Sequence, residues 1–352
     1  MNEIIYYDFD QINRVSFYLN GFFSNQTKYN YKFSIKREDP CITMLNSVVG
    51  EWKKFLFGLG LFEFKSRNNN FFFCIDRSDH SSNYMNEGYL IPILEIVKYY
   101  FKANYDPTAI DNDPAINKFK DKIIPIGPSF PIHIENMIKF MPGIFPIDKN
   151  RWSLNIFKER FDLMFRYPKL SYLKRLRKIE PKLNLFFVLP YYSNQKILNE
   201  YRFEVFKAVK DRVKTNTIIG FGSHTKLTGK YEQFKLPRYE MRDYYRHLAG
   251  SKIAIYVRGP HNGISSKLGQ LLALGKPIIG QTIHNNKEMF YQNQFFNEQF
   301  AYDEPEEIAK QVHDLLQHPK KAASFAEANA NTFDTRFSPE ITVSHILENL
   351  FN

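Results

Sequence analysis

The sequence predicts an α/β fold built from two domains. Its 352 residues exceed the size at which one hydrophobic core usually stops growing. Apolar residues make up 43% of the chain and aromatic residues 16%, which excludes a disordered protein. In the second half, short apolar runs alternate with longer segments of helical period. That alternation is typical of a parallel sheet covered by helices on both faces.

The second half of the chain divides into strands and helices in turn. Four short apolar runs predict strands, at 183–189, 217–221, 252–257 and 277–280. Four segments of helical period predict helices, at 195–213, 238–248, 286–297 and 305–317. A further helix begins near Ser265 and ends at Gly275, before the last of these strands.

The first half of the chain is less regular. IIYYDF at 4–9 and NNFFFCID at 69–76 predict buried strands, whereas 89–101 has a helical apolar period. Prolines break a strand at 123–132 into a loop. A densely basic segment at 165–183, bounded by prolines, marks the domain boundary. We therefore expect an N-terminal domain, a C-terminal domain and helices packing between them, at 1–182, 183–325 and 326–352.

Charge and cysteine content limit the classes of partner and the cellular location that the sequence favours. The 48 basic and 37 acidic residues leave a net charge of +11, which favours nucleotides, phosphosugars, nucleic acid or an acidic membrane face. Cys41 and Cys74 form neither a disulfide framework nor a metal cluster. The N-terminus carries acids where a signal peptide is basic, and the longest apolar run, 55–64, is shorter than the ~20 residues of a membrane span. We expect a cytoplasmic protein.

The stretch GPHNGISSKLGQLLALGKPII, at 259–279, predicts an anion site. A strand, a glycine-bounded polar loop and a helix start together place backbone N–H groups and a helix N-terminus at the carboxyl edge of a parallel sheet. The loop and the first turn offer hydroxyl groups, close backbone approach and positive charge, from Arg258, Gly263, Ser265, Ser266 and Lys267. An ordinary βαβ unit with a capped helix explains the loop taken alone equally well.

The same stretch resembles the donor-binding region of GT-B glycosyltransferases. In those families a polar Gly/Ser loop leads to a helix and then to G-x-P-(V/I)-(I/V), which here is LALGKPII at 272–279. The resemblance spans 184–320 and includes the preceding KLPRYEMRDYYRHLAGSKIAIYV. Upstream, FFFCIDRSDHSSNY and IVKYYFKANYD resemble bacterial surface-polysaccharide transferases of exostosin-like type. The resemblance implies two Rossmann-like domains whose parallel sheets face a cleft.

The resemblance also implies an activity and a donor site. It implies metal-independent transfer of a sugar from a UDP- or GDP-type nucleotide-diphospho-sugar to a glycan or lipid-linked acceptor, in surface polysaccharide biosynthesis and without a cofactor. The donor-binding residues that it implies are Gly222, His224, Arg238, Arg258, Asn262, Gly263, Ser265, Ser266 and Lys267. Many retaining members carry a donor-helix Glu where this chain has Lys267-Leu-Gly-Gln270, so the Glu-dependent subclass does not match.

The candidate catalytic residues are Asp79 and His80, which follow the strand at 69–76. An inverting transferase needs a base because sugar hydroxyl groups are weak nucleophiles. Asp79 or His80 would face the cleft and deprotonate the acceptor, although a polar turn capped by Asp79 fits the same residues. For Gly222 and His224 the alternative is a plain strand-to-loop turn, and for Arg238 it is a solvated surface charge.

Three further interpretations stay open. The segment 169–182 places leucines at helical spacing with basic residues opposite, which fits a peripheral contact with the inner face of a membrane or a linker helix packed on the core. A nucleotide-sugar epimerase shares the fold but needs clustered carboxylates, which are scarce near 259–279. A basic nucleic-acid-binding protein explains the charge, yet no such motif is present, and nucleic acid is not an expected partner.

Overall fold

A computed structural model divides the chain into two compact units, Met1–Lys169 with Arg336–Asn352, and Leu170–Thr335. It describes residues 1–8, 12–36, 58–79, 89–135, 154–222, 226–292 and 294–351. The expected α/β fold with two sheets is confirmed. The units divide after Lys169 and Thr335, whereas the domain boundaries expected from the sequence follow residues 182 and 325. Within the described ranges, every helix is too short or too polar to traverse a lipid bilayer.

The first unit contains a six-stranded mixed sheet. Its strands are β1 (Asn2–Tyr7), β2 (Tyr31–Lys36), β3 (Leu59–Lys65), β4 (Asn70–Asp76), β5 (Val97–Lys102) and β6 (Ile123–Pro125). Their order is β2-β1-β3-β4-β5-β6, and β3 runs antiparallel to both neighbours while the other pairs are parallel. The sheet therefore departs from the all-parallel arrangement at one strand. At one of its edges lie the carboxyl ends of the five strands other than β3.

The helices of the first unit are α1 (Ile12–Tyr29), α2 (Ile91–Ile96), α3 (Pro107–Asp111), α4 (Pro114–Asn117), α5 (Leu154–Phe165) and, from the end of the chain, α14 (Pro339–Phe351). The buried face of α1 repeats at helical spacing, with Ile12, Val15, Leu19 and Phe22 all enclosed. This helix packs closely on α14. Gly21 permits the approach, because a Cβ there would overlap the Pro339 carbonyl oxygen.

The helix expected at 89–101 is wrong beyond residue 96. Pro92 helps to start α2, but the chain then turns into β5, where VKYYFK has the β-branched and aromatic composition of a strand. β5 lies between β4 and β6 and buries Tyr100 and Phe101. Sheet pairing on both sides therefore outweighed the local helical period, which was an accident of the apolar spacing.

The second unit contains a five-stranded parallel sheet. Its strands are β7 (Leu183–Leu189), β8 (Thr217–Gly222), β9 (Lys235–Leu236), β10 (Ser251–Tyr256) and β11 (Ile278–Gly280), in the order β11-β10-β7-β8-β9. Every neighbouring pair is parallel. All five carboxyl ends consequently lie at one edge of the sheet, which is where open α/β sheets bind ligands.

The helices of the second unit are α6 (Leu170–Leu176), α7 (Lys196–Arg212), α8 (Met241–Ala249), α9 (Ser266–Ala273), α10 (Lys287–Phe290), α11 (Gln294–Gln299), α12 (Pro305–Gln317) and α13 (Pro319–Thr332). The helix expected at 286–297 is two shorter helices, because Asn286 adopts a left-handed conformation and α10 ends at Phe290. One apolar core joins the strands with α7, α12 and α13.

The basic helix α6 packs on the second unit through Leu173 and Leu176, which are buried. Two basic residues beside them are engaged within the unit. Lys174 and Arg177 both pair with Asp334, at 2.8 and 2.7 Å, and Arg177 Nε also donates to the carbonyl oxygen of Ala273 at 2.8 Å. These contacts are those of a packed linker helix.

Candidate functional site

The segment that follows β10, residues 258–265, is a closed loop at the carboxyl edge of the second sheet, and we call it the edge loop. The N–H of Gly259 donates to the carbonyl oxygen of Gly263 at 2.7 Å, and the N–H of Gly263 donates to that of Pro260 at 2.9 Å. Between them, His261 and Asn262 both have left-handed φ angles, 55° and 60°. Two consecutive strained residues in an exposed turn are typical of functional loops.

Helix α9 begins directly after the edge loop. Ser265 is the N-cap residue by backbone conformation, but its side chain makes no cap hydrogen bond. Its hydroxyl group lies instead 3.4 Å from the carbonyl oxygen of Val257. Leu268, Leu271 and Leu272 are buried and fix the helix on the sheet. The first turn of α9 thus has no capping side chain, which suits an anionic ligand.

Arg258 belongs to a polar cluster that joins the segments after β10 and β11. Its backbone N–H donates to the side-chain oxygen of Gln281 at 2.9 Å. Its guanidinium group lies 3.2 Å from the carboxylate of Asp303, and only 14% of the Arg258 side chain is exposed. Thr282 donates its hydroxyl hydrogen to the same carboxylate at 2.9 Å. Asp303 carries no signal in the sequence, because nothing in the local pattern links it to the edge loop.

Lys267 points away from solvent. The residue is 8% exposed, and its ammonium group donates to the hydroxyl group of Tyr244 in α8 and lies 4.5 Å from that ring's centroid. Burial lowers the pKa of Lys267 to about 7, because the low-dielectric interior disfavours the charged form. In the structure the partner of this ammonium group is Tyr244, and its direct contact with a diphosphate stays a prediction.

The other candidate donor residues lie at neighbouring strand ends of the same edge. Gly222 ends β8, where a Cβ would lie 2.7 Å from the Val188 side chain, so packing alone already requires glycine. Arg238 follows β9 and is exposed. Gly263 and Asn262 lie in the edge loop, the first buried and the second exposed, while Ser266 begins α9 and is half-buried. His224 lies outside the described residues.

In the first unit, the segment after β4 is held by a buried charged network. Lys102 Nζ donates to the carboxylate of Asp76 at 2.8 Å, and Tyr100 donates its hydroxyl hydrogen to that carboxylate at 2.5 Å. Burial, and then the Asp76 charge, raises the pKa of Tyr100. The backbone N–H of Ser78 donates to Asp76 at 2.7 Å. This network fixes the backbone that leads to Asp79.

Asp79 itself is half-buried at the end of that segment, and its charge acts on the buried guanidinium group of Arg77. The Arg77 side chain donates to the carbonyl oxygens of Arg14 and Ser129. Asp79 is therefore attached to a rigid backbone at the carboxyl edge of the first sheet. His80 lies outside the described residues. Among the described residues, no group of three or more His, Cys, Asp or Glu residues could hold a metal ion.

Residues 202–351 match the family described as "Glycosyl transferase-like". This segment contains the edge loop, α9 and Asp303. The match confirms the resemblance to glycosyltransferases that the sequence predicted. No curated protein matches the chain in sequence.

Several solved structures resemble the chain at low sequence identity. A TarM mutant from S. aureus, in complex with Fondaparinux, alpha-GlcNAc-glycerol and UDP, is 12% identical with a TM-score of 0.44, over 79% of this chain and 50% of that one. A second TarM structure is 10% identical with a TM-score of 0.48, over 94% and 57%. A putative UDP-N-acetylglucosamine 2-epimerase from Listeria monocytogenes is 10% identical with a TM-score of 0.48, over 98% and 94%. The chain thus spans little more than half the length of TarM.

Proposed function

We propose that the chain is a glycosyltransferase that moves a sugar from a nucleotide-diphospho-sugar of UDP or GDP type to a glycan or lipid-linked acceptor. The observation that carries this proposal is the edge loop with the uncapped first turn of α9, inside the segment that matches the glycosyl transferase-like family. A glycine-bounded loop and a helix N-terminus supply N–H donors to an anion. The surface polysaccharide pathway and a membrane-face location remain part of the same proposal.

In the proposed reaction the bond between the anomeric carbon and the diphosphate oxygen breaks, and the acceptor hydroxyl oxygen bonds to that carbon. The nucleoside diphosphate leaves with both electrons of the broken bond. The N–H groups of the uncapped first turn of α9, the hydroxyl groups of Ser265 and Ser266, and the guanidinium group of Arg258 would stabilise the negative charge that it gains, without a metal ion. Asp79 or His80 would accept the hydroxyl proton.

In this proposal Lys267 affects donor binding through its charge and does not contact the donor. Its ammonium group is buried against Tyr244, so it would act on the donor through the field at the start of α9 rather than by contact. An anion bound at the edge loop favours the charged form of a nearby amine. Since burial lowers the pKa of Lys267 to about 7, we expect donor binding at pH 8 to be accompanied by proton uptake.

The test is calorimetric binding of UDP, GDP, CDP and ADP, first with a chelator and then with magnesium, followed by donor hydrolysis assays. Metal-independent binding of one diphosphate is expected, with loss in Arg258→Gln and no change in Lys252→Gln, an exposed lysine on β10. Slow release of that diphosphate from its sugar would support a transferase. Inversion of a sugar carbon without diphosphate release would instead identify an epimerase, and no binding at all would refute the donor site.

A further inference from the structure

The guanidinium group of Arg258 is held along one side only. Its Nη2 pairs with Asp303 Oδ1 at 3.2 Å, and its Nη1 lies 3.4 Å from the carbonyl oxygen of Thr282. Its Nε is buried and has no hydrogen-bond partner among the described residues. A guanidinium group carries five N–H donors in a fixed planar fork. The remaining N–H donors on Nη1 and Nη2, rather than the buried Nε–H, are therefore the ones that an anion could accept from.

Asp303, in contrast, is anchored from three elements. One carboxylate oxygen accepts the hydroxyl hydrogen of Thr282 at 2.9 Å, and the other faces Arg258. Its backbone carbonyl oxygen accepts the hydroxyl hydrogen of Tyr201, from α7, at 2.7 Å. Arg258 and Thr282 follow neighbouring parallel strands, β10 and β11. The carboxylate is thus fixed relative to the sheet edge although 45% of its side chain is exposed.

We propose that Asp303 is the positioning residue for Arg258 and directs its remaining N–H donors at the diphosphate of the nucleotide-sugar. This inference rests on the proposed function, because it takes the ligand to be a nucleoside diphosphate group. A long arginine side chain loses rotamer freedom when it binds a ligand. By holding one side of the fork, Asp303 removes that freedom before the ligand arrives, which strengthens binding.

If Asp303 acted only through its charge, electrostatics would predict the opposite change in diphosphate affinity. If it did not position Arg258, the Asp303 carboxylate would simply repel an incoming diphosphate, so its removal would strengthen anion binding. The sign of the change in affinity therefore separates positioning from charge alone. Asp303→Ala removes both the charge and the contact. Thr282→Val removes only the hydroxyl group that orients the carboxylate.

The binding experiment is calorimetry of inorganic pyrophosphate, UDP and GDP with these variants. Asp303→Ala should weaken binding about fivefold, the effect of freeing one immobilised side chain, and Thr282→Val about twofold. In an Arg258→Gln background no guanidinium group is left to position, so Asp303→Ala should not weaken binding further. Glu304→Gln, at the adjacent exposed carboxylate, is the matched control and should bind as the unaltered protein does. Equal or tighter binding by Asp303→Ala would overturn the proposal.

A second measurement needs no ligand, so it separates this inference from the proposed function. The ¹⁵N-labelled protein should show a slowly exchanging Nε–H resonance from Arg258, assigned by its loss in Arg258→Lys. That resonance should become fast-exchanging in Asp303→Ala and persist in Glu304→Gln. Its persistence in Asp303→Ala would overturn the positioning role, whatever the binding results. Absence of pyrophosphate and diphosphate binding by the unaltered protein would overturn the proposed ligand instead.

Discussion

Replacing Lys267 by methionine should stabilise the protein at low pH and should abolish one component of its pH dependence. The residue is 8% exposed, and its ammonium group contacts a tyrosine hydroxyl group rather than a carboxylate. Methionine has a similar length and no charge, so it should fill the same space. The folded state would then no longer hold a desolvated ammonium group, whereas the free energy of the unfolded chain would change little because its side chain is in water.

The magnitude follows from the pKa. Burial lowers the pKa of Lys267 from 10.5 to about 7, and ~3.5 units at ~1.36 kcal/mol each give about 5 kcal/mol. Below pH 7 both states carry the proton, so the folded state bears the whole cost. Between pH 7 and 10.5 the unfolded chain binds more protons, and the free energy of unfolding rises with pH. From pH 6 to pH 9 this rise amounts to about 3 kcal/mol.

Urea denaturation of both proteins at pH 6 and pH 9 tests this reasoning. The stability advantage of Lys267→Met should be largest at pH 6 and should shrink by about 3 kcal/mol at pH 9. Lys276, whose pKa burial also lowers, to about 8, is present in both proteins and cancels in the difference. Lys320→Met, at an exposed lysine in α13, is the control. An advantage that is the same at both pH values would refute a buried charge at Lys267.

Three further outcomes are expected. Lys102→Met leaves the Asp76 carboxylate buried without its cation, so urea denaturation should show a loss of about 3–5 kcal/mol; a loss below ~1 kcal/mol would contradict burial of the pair. Gly280→Ala places a Cβ 2.7 Å from the backbone oxygen of Tyr256. Calorimetry should therefore show a lower Tm and a free energy of unfolding reduced by about 1–3 kcal/mol. An unchanged Tm would show that β10 and β11 can move apart without loss of stability. Arg258→Gln should weaken binding of the cognate nucleoside diphosphate about 10- to 100-fold, since hydrogen bonds to charged groups contribute ~1.5–3 kcal/mol each. A change under twofold would exclude contact between the Arg258 guanidinium group and the diphosphate.

The second sheet was predictable because its strands are short and continuously apolar. Leu183–Leu189 has the predicted bounds, since a run buried on both faces leaves few alternatives. Pro305–Gln317 also has the predicted bounds, because acidic residues open this helix and His318-Pro319 ends it. The first unit was harder, because α2 and β5 share one apolar segment whose conformation depends on pairing with β4 and β6. Such non-local pairing leaves no periodic signal in the segment itself.

The site divides in the same way. The edge loop and the start of α9 were predictable because glycine, proline and serine determine local backbone conformation. The orientation of Lys267 was not, since its ammonium group reaches Tyr244 only through the packing of α9 near α8. Asp303 was not predictable either, because it meets Arg258 from 45 positions further along the chain. The spacing of residues in the sequence indicates which side chains share a face of one helix or strand. It carries little information on contacts between side chains from different elements.

The two sheet edges differ in how their buried charges are compensated, and this difference fits two kinds of ligand. In the first unit two buried cations pair directly with buried carboxylates, Lys102 with Asp76 and Arg160 with Asp8. In the second unit the ammonium group of Lys267 contacts a tyrosine hydroxyl group and has no carboxylate partner among the described residues. A charge-balanced edge suits a neutral sugar hydroxyl group, which needs hydrogen bonds but no counter-charge. An under-compensated positive edge suits the proposed diphosphate, because an anion supplies the missing counter-charge.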